Sequence, residues 1–245
     1  MHILLDIKNM QQNFFADKFF CINAENLGRR YKMIITKTPF RMSFFGGGTD
    51  IEDYFKENGG AVLSTTFDKY CYVNVRHLPR FFDYSSELTY SKMERVKDTD
   101  DIKHPAIREA MKFLDMQEIR LTYEADLPAR SGLGTSSSFA VGMLNAFYAL
   151  KGKYADKKKL ADEAIYLERV LCNEAGGWQD QIAASFGGFN RINFNTDGTY
   201  DVLPVIISPE RKQHLNNNLM MFFTGFTRFS SEVQKANNVS GSEEV

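Results

Sequence analysis

The chain has 245 residues, with 43% hydrophobic and 25% charged side chains. Those proportions fit a globular domain and exclude a disordered or fibrous chain. Thirty basic residues against 31 acidic ones leave a net charge of -1, so no field for gripping nucleic acid is expected. The three cysteines, Cys21, Cys71 and Cys172, are odd in number and lack CxxC spacing. They argue against a disulfide framework or zinc site and for a reducing, cytoplasmic setting. The longest apolar stretch, Phe139 to Leu150, contains Gly142 and Asn145 and is too short to cross a bilayer. Asp6 and Lys8 interrupt the apolar opening before a signal-peptide core forms, so neither a membrane partner nor export is expected.

Residues 1–32 show no clean period of two or 3.6 and are read as an extension without an assigned role. Met33 opens the first strand of a domain, and Arg41 to Phe45 reads as a second strand ending in Gly46-Gly47-Gly48. Val62 to Arg76 alternates as a strand, and a short helix begins near Ile51. His104-Pro105 introduces a helix carrying Ile107, Ala110, Met111 and Leu114 on one face, followed by a strand through Ile119, Leu121 and Tyr123. After a glycine-bearing turn comes a helix from about Ser136 to Leu150. Asp156 then caps a helix with a stripe of Leu160, Ala164, Leu167 and Leu171, expected to run to Gly176-Gly177. A helical piece spans Trp178 to Phe186, a hairpin turns at Asp197-Gly198 between Phe189–Phe194 and Tyr200–Leu203, and Leu219 to Phe223 reads as a further strand. Strands followed by helices packed against them predict an α+β architecture.

The most informative stretch is Asp126-Leu-Pro-Ala-Arg-Ser-Gly-Leu-Gly-Thr-Ser-Ser-Ser138, between a predicted strand and a predicted helix. Glycines let the backbone approach a ligand closely, and successive amides at a helix N-terminus make a concavity that favours anions. The stretch lacks the lysine of a Walker motif and the third glycine of a dinucleotide fingerprint. A capped helix after a flexible loop is the plainer reading of Gly-x-Gly alone, but it leaves Pro128 and the Ser/Thr run unexplained.

That turn resembles the Pro-x-x-x-Gly-Leu-Gly-Ser-Ser motif of the GHMP kinases, the superfamily of galactokinase, homoserine kinase, mevalonate kinase and phosphomevalonate kinase. Thr135 stands where the first serine would be. Lys37 to Asp50, with Arg41 and Gly46-Gly47-Gly48, resembles the superfamily's first motif, and Glu168-Arg169 with Gly176-Gly177-Trp178-Gln179-Asp180-Gln181 resembles its metal-ligand and catalytic-aspartate segment. The combined wording is most similar to the bacterial branch acting on D-glycero-D-manno-heptose phosphates. The resemblance implies a ribosomal-protein-S5-domain-2-like N-terminal kinase domain over residues 33–210. It further implies that residues 211–245 are only the start of a ferredoxin-like C-terminal domain.

The resemblance also implies roles. Ser131, Gly132, Leu133, Gly134, Thr135, Ser136 and Ser137 would hold the phosphates of ATP, and Ser136 with Glu168 would complete a Mg²⁺ shell otherwise made by phosphates and water. Asp180 would accept or orient the substrate hydroxyl's proton, with Arg41 stabilising that carboxylate and the transferring phosphate. Thr49 and Asp50 would face sugar hydroxyls, and Arg228 a substrate phosphate. On local sequence alone, Glu168 reads as a surface glutamate, Asp50 and Asp180 as helix caps, and Arg41 as an exposed strand residue. Trp178 is expected to pack, and the scattered histidines carry no ligand spacing. The expected function is ATP-dependent transfer to a sugar or sugar-phosphate hydroxyl. The competing expectation is a non-catalytic remnant or regulatory subunit that binds nucleotide at most. A half-built second domain would also favour self-association through exposed apolar surface.

Overall fold

A computed structural model describes residues 20–22, 33–129 and 131–222. Expectations for residues 1–19, 23–32 and 223–245, Arg228 among them, lie outside the described residues.

Strands β1 (Phe20–Ile22), β2 (Met33–Phe45) and β3 (Gly60–His77) pair antiparallel in series. The 18 residues of β3 are too many for one further neighbour, and its far edge forks. Cys71 to His77 pair with β6 (Ile119–Ala125), while Gly60 to Thr65 pair with β7 (Phe189–Phe194). β8 (Tyr200–Pro204) closes a hairpin on β7, and β4 (Ser86–Thr89) runs parallel to β6 and antiparallel to β5 (Met93–Val96). Together these make one eight-stranded sheet among the described residues, in a mixed α+β fold.

Six α-helices occur among the described residues: α1 (Glu52–Asn58), α2 (Pro105–Phe113), α3 (Thr135–Leu150), α4 (Lys157–Ile165), α5 (Gln179–Phe186) and α6 (Pro209–Asn217). Central α3 is apolar nearly all round, so it is buried on both sides: β2 and β3 on one, α4 and α5 on the other. It lies very close to β2. The Thr36 hydroxyl donates to the Gly142 carbonyl at 2.9 Å and the Ser138 hydroxyl to the Pro39 carbonyl at 2.9 Å. A Cβ on Gly142 would come within 2.6 Å of Thr38 Oγ1. These contacts set the N-terminus of α3 beside the middle of β2.

The main core joins Val73, Val75, Ile107, Met111, Leu121 and Phe147 across sheet and helices. A smaller cluster of Phe55, Val62, Ile165, Ile182, Ile192 and Phe194 ties α1, α4 and α5 to β7. Trp178 packs there as expected, its ring edge-on to Phe55 at 4.9 Å.

Three expectations are corrected, and three elements had no expectation. Met33 and Arg41 belong to one 13-residue strand, whose register shifts between Pro39 and Arg41 because proline has no N–H for the ladder. Asp156 Oδ1 caps α4 as expected, accepting from the Lys159 amide at 2.7 Å, but the helix leaves α-geometry after Ile165 for a π-helical turn, Tyr166–Leu171, and ends there rather than at Gly176. Leu219 to Phe222 form no strand and pair with none, and Met220 is 80% exposed. Strands β4 and β5 and helix α6 had no counterpart in the pattern reading; their short or largely polar sequences carry little periodicity.

Candidate active site

The glycine-bearing turn leaves β6 where the sheet forks, and it docks on the outer edge of β2: the Arg41 amide donates to the Leu133 carbonyl at 3.2 Å. Gly132 and Gly134 have φ of 75° and 72°, left-handed values that glycine adopts without Cβ strain. Gly134 is the N-cap of α3, and its carbonyl accepts the first helical bond, from Ser138, at 2.9 Å. The amides of Thr135, Ser136 and Ser137 therefore open the helix without α-helical acceptors, aligned with the positive end of a 16-residue dipole. Ser131 Oγ is buried there with no hydrogen-bond partner. The donor set and the helix end fit a phosphate.

Glu168 lies on the π-helical turn and is 1% exposed. The exposed Ser136 donates to its Oε1 at 3.0 Å and buried Ser137 to its Oε2 at 2.7 Å. Gln181 Nε2 also donates to Oε2, and an Arg169 guanidinium nitrogen stands 3.8 Å away. Burial pushes the Glu168 carboxyl above its usual range, opposed by Arg169 and the hydrogen bonds from Ser137 and Gln181. Ser136 Oγ and Glu168 Oε1 are hard oxygen donors side by side, which suits Mg²⁺. Among the described residues no group of three or more His, Cys, Asp or Glu gathers for a metal; a shell completed by phosphates and water needs none.

Asp180 lies in the first turn of α5 and is half-buried. Arg41 Nε meets its Oδ1 at 2.7 Å, and Arg41 NH1 donates to the Gly132 carbonyl at 2.9 Å. A Cβ on Gly134 would lie 3.1 Å from Arg41 Cγ and 3.4 Å from Asp180 Oδ2. The pair thus sits directly against the start of α3, within one cluster with Ser136 and Glu168. Arg169 braces the approach to α5 by donating to the carbonyls of Glu174 and Ala175 at 3.0 and 2.8 Å.

Asp50 does not cap α1. It is 3% exposed, accepting from the Gly48 amide at 2.9 Å and, across the chain, from the Gln179 amide at 3.2 Å. Burial raises its pKa, and the Gln179 and Gly48 amides oppose the rise. The packing is so close that a Cβ on Gly177 would fall 1.9 Å from Asp50 Oδ2. Thr49 Oγ1 serves the loop itself, donating to the Gly46 carbonyl at 2.8 Å and accepting from the Ala61 amide at 3.1 Å. Arg41, Asp180, the residues of the 131–137 turn, Ser136 and Glu168 therefore converge; Asp50 and Thr49 border them in the glycine loop. Gln181, Gln179 and Arg169 were missed as participants, because a buried glutamine or a loop-bracing arginine has no one-dimensional signature. Only their place in the Glu168-Arg169 and Gly-Gly-Trp-Gln-Asp-Gln segments pointed toward them.

The family "GHMP kinases N terminal domain" matches residues 102–188. The chain is 30% identical over 214 residues to the D-glycero-alpha-D-manno-heptose 7-phosphate kinase of Campylobacter jejuni, a match covering 83% of this chain and 63% of that protein. It is 24% identical over 217 residues to the bifunctional fucokinase/GDP-fucose pyrophosphorylase of Arabidopsis thaliana, covering 80% of this chain and 20% of that one. A crystal structure of a D-glycero-D-manno-heptose 1-phosphate kinase from Bacteroides thetaiotaomicron shares 26% identity and a TM-score of 0.64, over 71% of this chain and 60% of that one. The chain thus spans less than two thirds of the length of these relatives. Over the matched parts the chain is similar in sequence and fold to GHMP kinases, and residues 102–188 match that family's N-terminal domain.

Proposed function

We propose that this chain supplies the phosphate-binding and proton-handling part of a kinase that moves the γ-phosphoryl group of ATP to a hydroxyl of a sugar phosphate, of the heptose phosphate class. The observation that carries the reading is the Arg41–Asp180 ion pair at 2.7 Å, seated against Gly134 at the N-terminus of α3. The similarity to two heptose phosphate kinases supports the substrate class.

Each group has a task that phosphoryl transfer requires. The first-turn amides of α3 and the Ser131 hydroxyl would hold the terminal phosphates. Ser136 and Glu168 would hold Mg²⁺, which supplies charge neutralisation on the phosphate oxygens. Asp180 accepts the acceptor hydroxyl's proton or aims that hydroxyl, and Arg41 keeps the carboxylate in place while facing the charge that develops on the moving phosphoryl group. Thr49 and Asp50 form the sugar-side wall in this reading, and Arg228 takes the substrate phosphate. Residues 33–210 form the kinase N-terminal domain and 211–245 open the next, with α6 crossing that junction. The exposed Leu219 to Phe222 run supports self-association of the chain. Cys71 and Cys172 are free thiols, each raised to about 12 by burial, which accords with a reducing, cytoplasmic setting. Among the described residues no helix is long and apolar enough to cross a membrane.

The test is ADP formation with Mg·ATP and a panel of heptose phosphates, galactose, fucose, mevalonate and homoserine. A heptose phosphate is expected to be the preferred acceptor, and Asp180→Ala to lower kcat at least about 10³-fold while leaving nucleotide affinity within about twofold. Nucleotide binding without turnover on any acceptor would favour the remnant reading instead. Full turnover by Asp180→Ala would remove that residue from the chemistry.

A further inference from the structure

The two oxygens of Glu168 are treated differently. Oε2 receives both the Ser137 hydroxyl, at 2.7 Å, and the Gln181 amide, whereas Oε1 receives only the exposed Ser136 hydroxyl, at 3.0 Å. Gln181 itself is fully buried, and it follows Asp180 on α5. One turn of α5 therefore presents Asp180 to Arg41 and Gln181 to Glu168. Ser137 and Gln181 together occupy Oε2, so the carboxylate is held with Oε1 turned toward Ser136.

We propose that Gln181 is a positioning residue for the cation site: its amide fixes Glu168 Oε2, leaving Oε1 and Ser136 as the metal-facing pair, and it couples that pair to the helix carrying Asp180. This rests on the reading that Ser136 and Glu168 hold a divalent cation. A side-chain donor that orients a metal-ligating carboxylate typically tunes metal affinity about 10- to 100-fold. A glutamine serving only to glue the π-helical turn to α5 would change stability and leave metal affinity alone.

The two roles separate in a titration of Mn²⁺·ADP with protein, followed by the water-proton relaxation of the ternary complex, alongside calorimetry of ADP binding in EDTA. Gln181→Met keeps the side-chain volume and removes the donor; Gln181→Asn keeps an amide too short to reach. Both are expected to weaken Mn²⁺·ADP binding about 10- to 100-fold and to leave metal-free ADP binding within about twofold. Mn²⁺·ADP binding within about twofold of the parent, in either folded variant, would overturn the proposal. So would failure of both variants to fold, which would make the amide a purely structural bond. If the parent chain shows no protein-dependent relaxation change with Mn²⁺·ADP, the cation site itself fails, and the proposal with it. That result is distinct from equal binding by parent and variants.

Discussion

Arg41 makes three bonds to the candidate site: its amide to the Leu133 carbonyl, NH1 to the Gly132 carbonyl and Nε to Asp180. Only a planar fork of donors can serve the turn and the carboxylate together. Arg41→Lys keeps the charge but reaches one partner at a time. It is expected to lower kcat about 10²- to 10³-fold, the typical effect of losing an aimed donor, and to weaken nucleotide binding a few-fold as the turn loses its tether. Steady-state kinetics with direct nucleotide titration checks this; activity within about threefold of the parent would show that charge alone suffices. Legibility at this scale was uneven. The 131–137 turn could be read because its chemistry is contiguous in sequence, and Arg41 and Asp180 because their motifs were. Glu168 was ambiguous between surface and ligand until its burial was known, since its immediate neighbours are one apolar and one basic residue. Asp50 looked like a local cap and instead joins two loops 129 residues apart.

At the scale of elements, the placement of α3 decides whether its N-terminus faces Arg41, and Gly142 allows that placement. Thr38 is buried beneath the helix, so its hydroxyl has no room to retreat from an added methyl group. Gly142→Ala improves helix propensity by about 1 kcal/mol, yet overpacking typically costs about 1–3 kcal/mol. The net expectation is destabilisation in denaturant titration, with activity falling as α3 is pushed off β2. A stabilised, fully active variant would mean that the helix has slack against the sheet. The same element shows what pattern reading captures: a long apolar segment between a glycine turn and a lysine-glycine end could hardly be anything else. The π-helical turn after Ile165 escaped because a stripe at three- and four-residue spacing looks the same whether the last turn is α or π. Its consequence, a glutamate drawn inward, is set by tertiary packing.

Over the whole molecule, the two hydrophobic clusters divide the labour. The larger joins α2, α3 and the β6 side of the forked sheet; the smaller holds α1 and α5 against the β7 side. Arg41 and the glycine turn rest on the first, while Asp180 and Gln181 ride on α5 over the second. The candidate site thus bridges two bodies of packing whose stabilities need not be equal. Phe55 is fully buried at the centre of the smaller cluster, with Trp178 edge-on at 4.9 Å and Phe194 stacked at 5.4 Å. Phe55→Ala is expected to cost about 3–5 kcal/mol, taken mainly from the β7 side. Hydrogen exchange followed by mass spectrometry should then show amides of α1, α5 and β7 opening well before those of α2 and β6. Turnover should be lost at temperatures where far-UV circular dichroism still reports most of the native signal. Equal acceleration of exchange on both sides of the fork would show that the clusters unfold as one cooperative unit, and that the bridge between Arg41 and Asp180 is as stable as the fold itself.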